Sequence, residues 1–269
     1  KAGKLPATEA DSIKKLPLGL DYHRVDHKEG EAPYLREEIR RLMTATKPKR
    51  PNRSDYGSST AYTIALSAYR TDSVQWEENP LCGWIEKNPK PDGSHYNLYQ
   101  DGLRIYTTID LKMQKYAEEA VYQHLGGTLQ PAFTAEKRGS KYGPYSTNNG
   151  EISGSTLQGI IDKAIKQTAR YRSMKEAGAS ETEIKKAFKT PYSMEVFAWV
   201  KKNGHYEPGT KTVTMSPRDS LMYMKSILRT GMIAMDPVTG YVKAYVGGPD
   251  FNYFQYDMAS RGKRQIGST

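Results

Sequence analysis

Met232-Ile233-Ala234-Met235 and Tyr241-Val242-Lys243-Ala244-Tyr245-Val246 flank the short run Asp236-Pro237-Val238-Thr239-Gly240. Both flanks are largely apolar runs of strand length with β-branched residues, and the second adds two tyrosines. The run between them is turn chemistry, with Gly240 available for a positive φ. This stretch predicts a β-hairpin, which Gly247-Gly248-Pro249 brings to an end. A chain that pairs such a hairpin with strong helical patterns is of mixed α+β class.

Working outward from the hairpin, the helical signals are numerous. Ser216-Pro217 opens a helix bearing Leu221, Met224, Ile227 and Leu228. Ser180-Glu181-Thr182-Glu183 is a capping box ahead of Ile184, Ala187 and Phe188. Ser155-Thr156-Leu157-Gln158 reads as another box, before Ile160, Ile161, Ala164 and Ile165. Asp110 caps a helix with Met113, Tyr116, Ala117, Ala120 and Val121 on one face, which Gly126-Gly127 should stop. Pro33 starts a short helix that ends before the proline-interrupted basic stretch from Lys47 to Arg53, the best linker candidate. Tyr62-Thr63-Ile64-Ala65-Leu66 and Leu103-Arg104-Ile105-Tyr106-Thr107-Thr108 read as strands of a small linker sheet. Gly139 to Gly154 reads as a polar loop.

Composition narrows the class further. The apolar set is 37% of 269 residues, so the core is lean, and a single cysteine excludes a disulfide scaffold. No run of about 18 apolar residues exists to span a bilayer, and Lys1-Ala2-Gly3-Lys4 does not begin a secretory signal. The net charge is +10, and residues 111–230 hold 19 basic against 11 acidic residues. A solvated helix face accounts for that excess; attraction to an anionic surface is the alternative. Nucleic acid is disfavoured, because the 20 tyrosines are scattered and form no recognised motif.

Three stretches, in order, resemble the bifunctional class A penicillin-binding proteins of bacteria. Gly102-Leu103-Arg104-Ile105-Tyr106-Thr107-Thr108-Ile109-Asp110, with Met113-Gln114 and Ala117-Glu118-Glu119-Ala120-Val121, is similar to the segment joining their two catalytic domains. Met235 through Gly248 is similar to the hairpin that opens their transpeptidase domain. Arg264-Gln265-Ile266-Gly267-Ser268-Thr269 looks like the approach to the active-site serine, with Ile266 where many members carry proline. A weaker match runs from Leu16-Pro17-Leu18-Gly19-Leu20 to Ala32-Pro33-Tyr34-Leu35-Arg36, resembling the end of the glycosyltransferase domain.

The resemblance implies four regions: 1–46, the C-terminal tail of a glycosyltransferase domain; 47–126, an interdomain linker with a small β-sheet and helix; 127–230, a basic helical insert; and 231–269, the start of a transpeptidase domain. It also implies a cell-envelope enzyme on the outer face of the cytoplasmic membrane, its anchor segment absent from this chain. That enzyme would polymerise a lipid-linked precursor, cross-link peptidoglycan stem peptides and be trapped by β-lactams. Ser268 is the implied catalytic nucleophile. In the family such a serine opens an S-x-x-K motif whose lysine activates it. Here that lysine would fall at position 271, beyond the 269 residues, so the chain alone is expected to be inactive.

Read without the resemblance, Ser268 is one more polar residue. Asp21, Asp26, Glu29 and Glu31 read as solvated carboxylates, and His23 and His27 as an incidental pair with no third metal ligand. Cys82 reads as a small buried hydrophobe. No cofactor or metal is called for. The alternative function is a non-catalytic envelope docking module, binding peptidoglycan, anionic lipid or a partner protein through the basic insert.

Overall fold

A computed structural model describes Lys14 and residues 30–140, 143–145 and 152–262. The architecture is α+β: helices surround two separate two-stranded antiparallel sheets.

Helix α1, Pro33–Met43, starts with its proline where no backbone N–H is needed, and buries Tyr34 and Met43. Its outer face is tied by Arg40–Glu37 and Arg41–Glu38 pairs, each 2.6 Å. After an extended basic stretch comes α2, Ser59–Glu78, capped by the Ser58 hydroxyl, which accepts from the Ala61 N–H. The expected linker sheet is therefore absent among the described residues. Tyr62 to Leu66 lies inside α2, where the Ser58 cap and the alanines at 61, 65 and 68 outweigh a short β-rich run. Leu103 to Thr108 is extended but pairs with no strand. Helix α3, Trp84–Lys87, follows Gly83, which has φ 69° and lies so close to the Trp76 ring that a Cβ would fall 2.1 Å from it. Cys82 is buried here, as expected.

Helix α4, Leu111–His124, is capped by the Asp110 carboxylate, which accepts from the Lys112 and Met113 N–H groups. It does not stop at Gly126-Gly127. A π-helical turn, Leu125–Leu129, carries it into α5, Gln130–Glu136. The glycines serve close packing instead: a Cβ at Gly126 would lie 2.9 Å from the Trp199 indole, and one at Gly127 would lie 3.0 Å from the Tyr206 ring.

Helices α6 (Gly154–Gln167), α7 (Ala169–Glu176) and α8 (Glu181–Lys189) follow. The capping box at Ser180 and Glu183 is complete, whereas α6 is capped by Ser153, two residues before the expected Ser155. The basic segment is not helical throughout. Strands β1, Tyr192–Lys202, and β2, His205–Met215, pair over their full length from Tyr192↔Met215 to Lys202↔His205. Asn203 and Gly204 turn them with φ 50° and 89°, the pair of positive angles of a type I′ hairpin. Helix α9, Pro217–Lys225, is capped by Ser216 as its sequence predicts.

The second hairpin joins β3, Met232–Met235, to β4, Val242–Val246. Its loop is held by Asp236, whose carboxylate accepts from Val238 N–H (2.8 Å) and Thr239 N–H (3.1 Å), with Gly240 at φ 72°. Strand β4 is buried on both faces. Ala244 and Val246 pack on Ala117, Val121 and Leu125, while Tyr245 packs on Tyr34 and Phe251. A third cluster of Phe197, Ile227 and Phe254 ties β1 to the chain beyond β4.

Candidate functional site

The segments most distant in sequence meet around β4. From α4, fully buried Gln114 presents its side-chain amide to the backbone of Tyr245. Its Nε2 donates to the Tyr245 carbonyl at 3.0 Å, and its Oε1 accepts from the Tyr245 N–H at 2.7 Å. The amide thus takes the place of a neighbouring strand's peptide and closes that edge of β4. Just before α4, Thr108 Oγ1 donates to the Val242 carbonyl (2.7 Å) and Asp110 N–H to the Lys243 carbonyl (2.9 Å). Among the described residues no strand pairs with the opposite edge, β3, and its Met232, Ile233 and Met235 are exposed.

Two further glutamines on the same helical run repeat the device. Gln123 donates to the Tyr206 carbonyl and accepts from the Tyr206 N–H, both at 3.0 Å. Gln130 donates to the Ser226 carbonyl (3.0 Å) and accepts from the Leu228 N–H (2.8 Å). One helical rod therefore fixes β2, the end of α9 and β4 relative to each other.

Beyond β4 the chain turns sharply over α1. A Cβ at Gly247 would sit 2.5 Å from the Tyr34 ring, and one at Gly248 would sit 2.3 Å from the Tyr34 hydroxyl, so the turn tolerates only glycine. The Tyr34 hydroxyl donates to the Phe254 carbonyl at 2.7 Å. Burial pushes the Tyr34 phenol well above its ordinary range, keeping it a neutral donor.

Asp257, buried and polar, organises the next turn. It accepts from the Tyr245 hydroxyl (2.5 Å), Ala259 N–H (2.8 Å), Ser260 N–H (3.3 Å) and Ser260 hydroxyl (3.1 Å). Tyr245 is also pushed up, first by burial and then by its bond to this carboxylate. Met258 N–H donates to the Gly247 carbonyl at 2.8 Å, stitching the turn back onto the end of β4. These contacts fix the path of the chain as far as residue 262.

Ser268 and the Arg264–Thr269 stretch lie outside the described residues, as do Asp21, His23, Asp26, His27 and Glu29. Glu31 is described: it is 45% exposed and pairs with Lys115 at 3.3 Å, as a solvated carboxylate does. Among the described residues no group of histidines, cysteines and carboxylates could hold a metal ion, and no helix is long and apolar enough to cross a membrane.

The sequence reading did not single out Tyr34, Gln114 or Asp257 as parts of a site. Asp257 had a visible signal, a carboxylate two residues ahead of Ala259-Ser260, the spacing of a local side-chain-capped turn. Gln114 had none, because a polar residue on a helix looks like part of the wet face.

The sequence model of the penicillin-binding protein middle domain matches residues 141–228. The chain is also similar to penicillin-binding protein 1A of Escherichia coli (strain K12), 25% identical over 205 residues, covering 64% of this chain and 22% of that protein. Both matches are to penicillin-binding proteins and support the resemblance to the class A members. No solved structure gives a significant match. Seen as part of a penicillin-binding protein, the segment expected to be a motif-free insert is the one that the middle-domain match covers. The β1–β2 hairpin and helices α6 to α9 are its body. The two stretches whose sequences carried the resemblance, Gly102 to Val121 and Met235 to Gly248, are in direct contact through Gln114 and Tyr245.

Proposed function

We propose that this chain is part of a bacterial cell-wall synthase that polymerises glycan strands and cross-links their stem peptides, with Ser268 as the acylation centre. In this reading residues 1–46 close a glycosyltransferase domain and 47–126 link it onward. Residues 127–230 form the middle domain, and 231–269 begin the transpeptidase. Ser268 Oγ attacks the carbonyl of a D-Ala-D-Ala stem; the new ester bond forms as the amide to the terminal D-alanine breaks. The hydroxyl proton passes to a lysine amine one helical turn beyond, and from there to the departing amine. An amine of a neighbouring stem then resolves the ester. A β-lactam imitates the acyl donor and leaves the serine blocked. The enzyme acts at the outer face of the cytoplasmic membrane, and the reading calls for no cofactor.

The observation that carries this proposal is the order of parts along one chain. A matched penicillin-binding middle domain leads directly into a hairpin closed on one edge by Gln114 and, among the described residues, unpaired on the other. The tightly bonded turn at Asp257 follows, and Ser268 lies eleven residues further along the sequence.

The test is labelling with a fluorescent penicillin. The full-length polypeptide is expected to be labelled, and Ser268→Ala is expected to abolish the label. Label that survives Ser268→Ala would overturn the assignment.

A further inference from the structure

The basic helices of the matched segment enclose a groove of about 1030 Å³, bounded by α6, α7, α8 and the start of α9. Ile165, Ile184 and Phe188 line its apolar part, the last two being 1% and 2% exposed. Lys166 reaches it from α6, Lys185 and Lys189 from α8, and Arg218 from α9.

The carboxylates of the groove are already engaged. Asp162 accepts from Gln158 Nε2 at 2.7 Å, and Asp219 accepts from the Ser216 hydroxyl at 2.6 Å. Glu181 takes both the Lys175 ammonium and the Tyr171 hydroxyl at 2.8 Å. The four cations, by contrast, make no ion pair among the described residues. Lys185 and Lys189 stand one turn apart on the same helix, where like charges repel. An anion seated between them and Lys166 relieves that repulsion.

Shape selects among anionic partners. A bilayer surface is flat and meets ridges, so it cannot fill a groove. A nucleic acid strand needs a row of stacking rings, and the described lining holds only Tyr171 and the buried Phe188. A peptide fits both the concavity and the alternation of charged and apolar lining.

We propose that this groove binds an acidic, partly apolar peptide segment of a partner protein. Its carboxylates lie between Lys166, Lys185, Lys189 and Arg218, and its apolar side chains lie over Ile165, the half-buried apolar residue of the lining. The inference deepens the docking reading of the basic region and is independent of acyl transfer at Ser268.

The test uses the 269-residue chain and a fluorescein-labelled synthetic peptide of Glu-Glu-Leu repeats, followed by anisotropy. A Gln-Gln-Leu peptide and phosphatidylglycerol vesicles serve as comparison ligands. The acidic peptide should bind, with affinity falling as salt rises. The set Lys166→Glu, Lys185→Glu and Lys189→Glu should weaken binding by about tenfold or more. The set Lys163→Glu, Arg172→Glu and Lys186→Glu changes net charge equally at exposed positions outside the groove, and should cost less than about twofold. Glutamine replacements at the groove lysines should give an intermediate loss without charge reversal. Equal loss from both charge-reversal sets would overturn the proposal, as would absence of peptide binding, equal binding of the glutamine peptide, or vesicle binding that the groove variants abolish and the peptide cannot compete. Penicillin labelling of the full-length polypeptide should be unchanged by the groove variants, which separates failure here from failure of the Ser268 assignment.

Discussion

Replacing Gln114 tests how the hairpin is held. Its amide satisfies both backbone groups of Tyr245 and also donates to Glu118 Oε1 at 2.7 Å, from a side chain with no solvent exposure. Gln114→Met keeps length and volume but removes every hydrogen bond. Two buried backbone groups lose their partner at ~1–3 kcal/mol each, so the expected cost is about 2–6 kcal/mol. Gln114→Ala should cost ~1–2 kcal/mol more, because it also leaves a void beside β4. Either loss is a large part of the ~5–15 kcal/mol that usually holds a domain folded. Urea unfolding followed by circular dichroism and tryptophan fluorescence measures both.

Gln114→Glu adds a sign that packing alone does not supply. An ionised carboxylate there faces the Tyr245 carbonyl and Glu118, while its protonated form can again donate. Burial and these neighbours raise the folded-state pKa of the new carboxyl. Stability is then kept below the unfolded pKa and lost as pH rises through the folded one. A Met variant costing under about 1 kcal/mol would refute the clamp, since it would mean that water or another group satisfies Tyr245. So would a Glu variant whose deficit does not shrink in acid.

Two other substitutions follow from local geometry. Burial holds the Glu118 carboxyl above its ordinary value of 4.5, opposed by the hydrogen bond from Gln114. Native Glu118 therefore costs stability as pH rises through that raised value, and Glu118→Gln should stabilise at neutral pH by under about 1 kcal/mol, with the gain vanishing in acid. Gly204→Ala forces a Cβ into the left-handed region at φ 89° and should lower stability by about 1 kcal/mol or more, whereas Asn203→Gly should stay within about 0.5 kcal/mol; thermal melts compare them.

The features that sequence reading placed well are those written in adjacent residues. The caps at Ser58, Asp110, Ser180 and Ser216 act over three or four positions, and of these Asp110, Ser180 and Ser216 were read correctly. The Met232–Val246 hairpin likewise carries its turn chemistry within itself. The β1–β2 hairpin escaped because its middle residues Val196, Phe197 and Ala198 are buried on both faces. That erases the alternation by which a half-buried strand is recognised. Asn203-Gly204 was the available signal, a dipeptide suited to a type I′ turn. Leu103 to Thr108 shows the converse. β-Propensity there reports side chains that fit a sheet, yet no strand comes alongside, and the segment instead hands Thr108 and Asp110 to the carbonyls of β4.

The glutamine clamps explain why the resemblance was readable while its physical basis was not. A two-stranded sheet is marginal alone, so β3–β4 requires support that its own sequence cannot show. That support comes from α1 through Tyr34, from α4 through Gln114, and from the returning loop through Asp257. Each contact joins residues more than ten positions apart, and none follows a period that a window can detect. The matching stretches near 102–121 and 235–248 are the two sides of one interface, and because Gln114 bonds the backbone of residue 245, the clamp depends on the side chain at 114 and not on the one at 245. The β1–β2 hairpin held by Gln123 and the β3–β4 hairpin held by Gln114 then share one helix. The orientation of one relative to the other is set by backbone clamps on that helix together with side-chain packing, in which Trp199 of β1 joins the cluster of Ala244 and Val246.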